Sequence, residues 1–253
     1  MSRIFPGIKP DTPAYTAFAR HIATGSPAVP ARYRNADLHE ARMDRDNGHG
    51  LNAGIHYVKR TYSGRSAIDD SQFISWRPPR PGLGLILHGP QGVGKTHIAA
   101  AIANELYWRF TVANLKCIDH TVRSAVRPRP RPLDIRFYDW TTYLESTRPG
   151  GGNQGAKTPA TECSLLILDD LGKENTTAYV HERLHTLLNT RYSTARPTII
   201  TTNLTPDEIT GTDGDDDTPP MAPAYDAHIA DRIREMCFQI ILTGNSRRRA
   251  AAI

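Results

Sequence analysis

The amino-acid sequence predicts an α/β fold in which helices flank a parallel sheet of five strands. Two observations lead to this prediction. From residue 82 onward, short apolar runs alternate with stretches of helical periodicity, which is typical of parallel sheets. The chain has 253 residues, which is enough for one domain with a sizeable core and a short N-terminal arm.

Five apolar runs are the expected strands, at residues 83–87, 135–138, 165–168, 198–202 and 238–242. Helical periodicity predicts helices between most of them, over residues 97–110, 140–146 and 178–192. Three segments interrupt the alternation and are predicted to be flexible inserts. They are an Arg/Pro-rich segment at 115–133, a Gly-containing segment at 148–161 and an acidic segment at 211–224.

The N-terminal part of the chain has a different organisation. Asp11 can cap a helix over residues 11–23, in which Tyr15, Phe18 and Ile22 form one apolar stripe. Such a stripe packs either on its own domain or on a partner protein. A second helix is predicted from the spacing of Leu51, Ile55, Val58 and Tyr62.

Composition and charge exclude several classes of protein. The longest apolar runs are far shorter than the roughly 20 residues of a membrane span, and the first ten residues contain no apolar signal segment. Three cysteines without a C-x-x-C pair argue against a disulfide framework and a cysteine-ligated zinc site. We therefore expect a cytoplasmic protein, whose net charge of +5 is compatible with a polyanionic partner.

Residues 89–96 read GPQGVGKT and satisfy the phosphate-loop pattern G-x-x-x-x-G-K-[ST]. Because a predicted strand precedes this loop and a predicted helix follows it, backbone N–H groups can surround a phosphate at a helix N-terminus. Lys95 would meet the β and γ phosphates, and the hydroxyl of Thr96 would bind Mg²⁺. We predict that the nucleotide is bound by Gly89, Pro90, Gln91, Gly92, Val93, Gly94, Lys95, Thr96 and His97.

Two further strands end in polar side chains suited to phosphoryl transfer. Asp169 and Asp170 follow the apolar run 165–168, so both carboxylates are expected beside the phosphate loop. Asp169 would bind Mg²⁺, and Asp170 would polarise a water molecule aimed at the γ phosphate. Asn203 follows the strand at 198–202, and its amide can orient that water. The residues after Asn203 lack the N-K-x-D pattern of small GTPases, which favours ATP.

Together these segments resemble the AAA+ ATPases of the DnaC and IstB type, which load replicative helicases or assist transposition. The resemblance covers roughly residues 28–249. Besides the phosphate loop, it rests on PARY at 30–33, LLILDDLGK at 165–173, RY at 191–192, RPTIITTNL at 196–204, DRI at 231–233 and GNSRR at 244–248.

The resemblance implies roles for three further residues. Asn203 corresponds to the sensor 1 residue, and Arg232 is similar to the arginine finger that reaches the ATP of a neighbouring subunit. Arg248 is similar to the sensor 2 arginine, which contacts the nucleotide of its own subunit. A planar guanidinium suits the charge that develops on a transferring phosphoryl group. The motifs and the resemblance together predict catalysis by Lys95, Asp170, Asn203 and Arg232, and the resemblance implies a self-associating ATPase.

The resemblance also implies a function and a division of the chain. We expect a DnaC-like loader that binds single-stranded DNA and helps to load a DnaB-type hexameric helicase in DNA replication. Residues 1–65 would be an arm and linker with a helicase-binding helix at 11–23, and residues 66–253 the AAA+ domain. Candidate DNA contacts are Trp140, Tyr143, Lys173 and the segment 127–131.

Two alternatives remain open at this point. A transposition ATPase of the IstB type has the same core but would act on duplex DNA with a transposase. His181, Glu182 and His185 satisfy the zinc-peptidase pattern H-E-x-x-H on a predicted helix. No third ligand follows at the expected spacing, so a zinc peptidase is the more remote alternative.

Overall fold

The computed structural model describes residues 28–38, 44–61, 83–121, 133–148, 160–174, 177–210 and 225–244. The predicted helix at 11–23, the basic segment 127–131, the insert at 211–224 and Arg248 lie outside these ranges. None of the helices within the described ranges combines the length and apolarity that crossing a bilayer requires.

The described chain forms a five-stranded sheet in the order β2-β3-β4-β1-β5, with every pair of neighbours parallel. The strands are β1 (Gly84–His88), β2 (Ile135–Asp139), β3 (Leu165–Leu171), β4 (Thr198–Thr202) and β5 (Cys237–Ile241). The helices are α1 (Asp44–Thr61), α2 (Lys95–Thr121), α3 (Trp140–Thr147), α4 (Ala178–Ser193), α5 (Pro206–Thr210) and α6 (Ala227–Met236). The predicted fold class, a parallel five-stranded sheet with flanking helices, is confirmed.

The sheet is covered on both faces, which explains why its central strands β1, β3 and β4 are buried along almost their whole length. In β1, Leu85 and Leu87 belong to a core cluster that includes Ile98 and Ile102 of α2. Ile86 points to the opposite cluster, which includes Trp140 and residues of α4 and α6. Because successive side chains of a strand alternate between faces, one short strand contributes to both cores.

Residues 28–61, which the sequence analysis assigned to an arm and linker, pack on the same core as the phosphate-loop helix. Val29, Leu51 and Val58 share a buried cluster with residues of α2. The Asn104 side chain donates hydrogen bonds of 3.1–3.2 Å to the carbonyl oxygens of Tyr33, Arg34 and Ala36. This part of the chain is therefore continuous with the core that surrounds the phosphate-loop helix.

Helix α2 is longer than its periodicity indicated. It begins at Lys95 and continues through Thr121, so it overlaps the first residues of the insert expected at 115–133. Residues 115–121 contain no Gly or Pro that would end a helix, and this explains the extension. The start of the expected insert is corrected accordingly, and residues 122–132 lie outside the described ranges.

Candidate functional site

The phosphate loop connects β1 to α2 and uses its glycines in conformations that other residues rarely adopt. Gly89, Gly92 and Gly94 have φ angles of 144°, 89° and 104°. A Cβ atom on Gly89 would lie 2.3 Å from the carbonyl oxygen of Leu242, so a side chain cannot be accommodated there. The loop ends at the first turn of α2, where backbone N–H groups and the helix dipole favour an anion.

Lys95 joins the phosphate loop to the end of β4. Its side chain is buried, and Nζ donates to the carbonyl oxygens of Gly89 and Pro90 at 2.7 and 2.9 Å. Nζ also donates to Oδ1 of Asn203 at 2.7 Å. Two site residues expected from separate motifs are therefore in direct contact, and the ammonium group lies within the curve of the loop.

Asp169 lies beside the loop, where it is largely shielded from solvent. It is 8% exposed, and its Oδ1 accepts a hydrogen bond of 2.6 Å from the Thr201 hydroxyl. Burial raises the pKa of Asp169 to about 6, while hydrogen bonds from Thr201 and Thr96 act in the opposite direction. The Asp169 carboxylate and the Thr96 hydroxyl are thus adjacent hard oxygen donors, a set that fits Mg²⁺.

Asp170 occupies a distorted position at the end of β3. Its φ angle is 62°, and the register between β3 and β4 shifts between Leu168 and Leu171. Its backbone N–H donates to the Thr201 hydroxyl at 2.9 Å, and its Oδ2 accepts from Lys173 Nζ at 2.5 Å. A non-glycine residue in this conformation costs free energy, as is common at functional sites.

Sequence reasoning missed Thr201 and His88 as members of this site. Thr201 contacts both acidic positions, and its signal was a polar residue in a fully buried strand. His88 ends β1 and is 1% exposed, with Nδ1 at 2.8 Å from the Leu204 carbonyl oxygen. Its Nε2 is buried without a hydrogen-bond partner among the described residues, and burial lowers the pKa of the imidazole. A neutral His88 therefore joins the start of the phosphate loop to the segment after Asn203.

Arg232 lies on α6, where it contacts Tyr192 and Glu235. Its guanidinium carbon is 4.2 Å from the centre of the Tyr192 ring, and Nη1 is 3.1 Å from a Glu235 oxygen. Among the contacts that the structure describes, none joins Arg232 to the phosphate loop of its own chain.

One of the expected DNA contacts is wrong. Trp140 is completely buried in the core cluster beneath α3, so it cannot contact DNA. Tyr143 is half-buried and stacks against Trp140, and Lys173 is exposed beside Asp170.

The H-E-x-x-H segment gains no support as a metal site. His181 and His185 lie on α4. His181 Nδ1 is 3.9 Å from Asp226, the residue that caps α6, and the ring centre of His185 is 6.4 Å from that of His228 on α6. Within the described ranges, no group of three or more His, Cys, Asp or Glu side chains could hold a metal ion. The two described cysteines, Cys163 and Cys237, are buried and reduced.

Comparison with known proteins identifies relatives of this arrangement. Residues 85–212, just over half of the chain, match the family described as "ATPase family associated with various cellular activities (AAA)". The replicative helicase loader DnaI of Bacillus subtilis is 34% identical over 136 residues, which are 53% of this chain and 38% of the relative. A putative ATP-binding protein in an insertion sequence of Mycobacterium tuberculosis is 28% identical over 170 residues, which are 66% and 56% of the two chains. The chain therefore spans less than two thirds of the length of either relative.

Solved structures agree on the fold. The crystal structure of the DnaC helicase loader is similar with a TM-score of 0.52 and 20% identity, covering 85% of this chain and all of that one. The crystal structure of DnaI has a TM-score of 0.55 and 22% identity, covering 87% and 94%. At these identities the likeness is one of architecture, and it agrees with the fold class predicted from the sequence.

Proposed function

The chain belongs to the AAA family of ATPases, and on that basis we propose that it hydrolyses ATP and loads a hexameric DnaB-type helicase onto single-stranded DNA in the cytoplasm. The observation that carries the ATPase part is the convergence of Lys95, Asn203 and Asp169 at one edge of the sheet. The likeness to a replicative helicase loader supports the loading part.

The phosphate loop and Lys95 would bind the triphosphate of ATP. The left-handed glycines expose backbone N–H groups, and the Lys95 ammonium group lies within the loop where the β and γ phosphates are expected. Phosphate oxygens are stronger acceptors than the loop carbonyls, so Lys95 would exchange those contacts for phosphate. The hydrogen bond from Lys95 to Asn203 would then couple phosphate binding in the loop to the end of β4.

Thr96 and Asp169 would hold Mg²⁺. When bound there, the ion neutralises charge on the phosphate oxygens. Thr201 fixes the Asp169 carboxylate through its hydroxyl, which orients one oxygen and leaves the other for the ion.

Asp170 and Asn203 would act on the attacking water. Asp170 accepts the water's proton or polarises its O–H bond, and Asn203 orients the oxygen toward the γ phosphate. Lys173 contacts only one carboxylate oxygen of Asp170, so the second oxygen can address water. The strained backbone at Asp170 lies at the junction of two adjacent acids, of which the buried Asp169 would serve the metal and the half-buried Asp170 the water.

Arg232 would act in trans, on the ATP of a neighbouring subunit. Its half-buried position on α6, in contact with Tyr192 and Glu235, leaves part of the guanidinium accessible to a neighbouring subunit and supports this direction. ATP would then join adjacent subunits, and hydrolysis would release the assembly. Arg248 remains a proposed contact to the nucleotide of its own subunit.

The proposal is tested by measuring ATP turnover with and without single-stranded DNA, at protein concentrations that allow self-association. We expect DNA to stimulate turnover and the response to vanish in Arg232→Ala while nucleotide binding persists. Lys95→Ala is the control that loses nucleotide binding itself. If single-stranded DNA does not change ATP turnover, the DNA part of the proposal is wrong. If Arg232→Ala hydrolyses ATP as fast as the wild type, Arg232 is not an arginine finger.

A transposition ATPase is the second candidate function, and the likeness to the insertion-sequence protein favours it. It predicts stimulation by duplex rather than single-stranded DNA and co-purification with a transposase. Parallel pull-downs with a replicative helicase and a transposase as bait separate the two candidates.

A further inference from the structure

Three side chains form a closed triangle on the surface between α4 and α6. The Arg232 guanidinium lies 4.2 Å above the Tyr192 ring, and its Nη1 donates to a Glu235 oxygen at 3.1 Å. Glu235 also lies close enough to Tyr192 to raise the pKa of its hydroxyl, by hydrogen bonding and by its negative charge, so the three side chains form one group. Tyr192 is 40% exposed, so the group remains open to a neighbouring molecule.

Tyr192 itself is held in place by the residue before it. Arg191 is completely buried, and its Nη1 and Nη2 donate to the backbone carbonyls of Ala160, Cys163 and Pro197 at 2.5–3.1 Å. Its Nε donates to the Thr198 hydroxyl at 2.9 Å. The C-terminal turn of α4 is thereby fixed to the start of β4, and the adjacent Tyr192 is directed outward toward α6.

The contact with the Tyr192 ring leaves the in-plane N–H donors of the Arg232 guanidinium available. Stacking on an aromatic ring uses the flat face of the group, whereas its N–H donors lie in the plane. Within the described part of the chain, Glu235 takes one of those donors. The remaining in-plane donors can therefore meet a phosphate while Tyr192 and Glu235 keep the group in one orientation.

We propose that Tyr192 and Glu235 are positioning residues that hold Arg232 ready for the ATP of a neighbouring copy of this chain. This proposal rests on the finger role assigned to Arg232 above. It adds that the finger is oriented within its own subunit before the subunits meet. Pre-orientation lowers the entropy lost when the interface forms, so its removal should reduce kcat more than it changes KM.

The first experiment compares ATP turnover in matched variants. Tyr192→Leu removes the ring, whereas Tyr192→Phe keeps the ring face and loses only the hydroxyl. We expect kcat to fall about 5- to 30-fold in Tyr192→Leu, with KM nearly unchanged, and to stay within about threefold in Tyr192→Phe. Glu235→Gln, which keeps an acceptor, should be milder than Glu235→Ala.

A matched control lies on the same helix. Arg234 and Asp231 form an i, i+3 ion pair at 3.0 Å, and no aromatic ring among the described residues contacts Arg234. Arg234→Ala should therefore leave kcat unchanged. Thermal unfolding and binding of a fluorescent ATP analogue check that each variant is folded and binds nucleotide.

The second experiment mixes subunits. Lys95→Ala subunits cannot bind ATP but carry an intact triangle, and Tyr192→Leu subunits bind ATP but present a poorly oriented finger. An equimolar mixture should hydrolyse more ATP than the two proteins measured separately, as should a mixture of Lys95→Ala with Arg232→Ala. If Tyr192→Leu instead impaired the nucleotide site of its own subunit, mixing with Lys95→Ala would not restore turnover.

The outcomes separate this proposal from the one on which it rests. If Arg232→Ala loses turnover while Tyr192→Leu keeps it, the finger stands and the positioning role is overturned. Equal losses of turnover in Tyr192→Phe and Tyr192→Leu also overturn it. So does a gain of turnover when Lys95→Ala is mixed with Arg232→Ala but not when it is mixed with Tyr192→Leu. If Arg232→Ala keeps full turnover, the finger role fails and the positioning role with it.

Discussion

The Thr201 hydroxyl lies between two consecutive carboxylate residues, donating to Asp169 Oδ1 at 2.6 Å and accepting from the backbone N–H of Asp170 at 2.9 Å. One side chain of β4 therefore fixes both the buried acid and the distorted backbone that follows it. The hydroxyl therefore pairs with one acceptor and one donor at the end of β3, which stabilises both in this position.

Replacing Thr201 by valine tests this support. Thr201→Val keeps the shape but removes the hydrogen bond to Asp169, so we expect affinity for ATP with Mg²⁺ to fall about 10-fold or more. Thr202→Val is the matched control, because Thr202 is equally buried in β4 but donates to the Leu171 carbonyl oxygen. Calorimetric titration of both variants measures the effect, and equal losses would contradict the role of Thr201.

The raised pKa of Asp169 predicts a dependence of stability on pH. Its value of about 6 in the folded protein exceeds the ordinary 3.8, so the folded state binds more protons between these values. In magnesium-free buffer, this carboxyl should therefore stabilise the fold as pH falls from about 7 to 4, by up to about 3 kcal/mol. Denaturant unfolding of the wild type and Asp169→Asn across this range isolates the contribution. A difference between the two proteins that is constant with pH would contradict it.

Replacing Arg191, which is not part of the candidate site, is expected to destabilise the fold strongly. Arg191→Met removes the charged guanidinium donors from the carbonyls of Ala160, Cys163 and Pro197, which should lower the free energy of unfolding by about 2–4 kcal/mol. Arg183→Met, at a solvent-exposed position of the same helix, should cost less than about 1 kcal/mol. Urea unfolding compares them, and similar losses would show that the buried contacts contribute little.

The two described cysteines should resist modification. Burial raises the pKa of Cys237 to about 12 and also raises the pKa of Cys163, so neither thiol ionises at neutral pH. In a Cys117→Ser variant, which removes the third cysteine, a thiol reagent should label two groups only after denaturation. Rapid labelling of the native variant would contradict the burial of these residues.

The central site was predictable because its residues lie in short motifs whose structural context is simple. A phosphate loop after a strand, and acids at the end of another parallel strand, meet at the same edge of the sheet. The contact between Lys95 and Asn203 follows from that geometry.

Other features depended on information that short motifs do not contain. The role of Thr201 requires the register between β3 and β4, including its shift, and no local pattern specifies that register. The triangle of Tyr192, Arg232 and Glu235 joins two helices that are distant in sequence. Trp140 was misassigned because an aromatic residue at a strand–helix junction can face either solvent or core, and packing decides between them.

Calorimetric titration of ATP, with and without Mg²⁺, tests the account most directly when the wild type is compared with Lys95→Ala and Asp169→Asn. We predict that Lys95→Ala loses affinity under both conditions, because the ammonium group meets phosphate whether or not the ion is present. Asp169→Asn should lose only the part of the affinity that Mg²⁺ adds. Three proteins with the same affinities would contradict the placement of the triphosphate and its metal between these two residues.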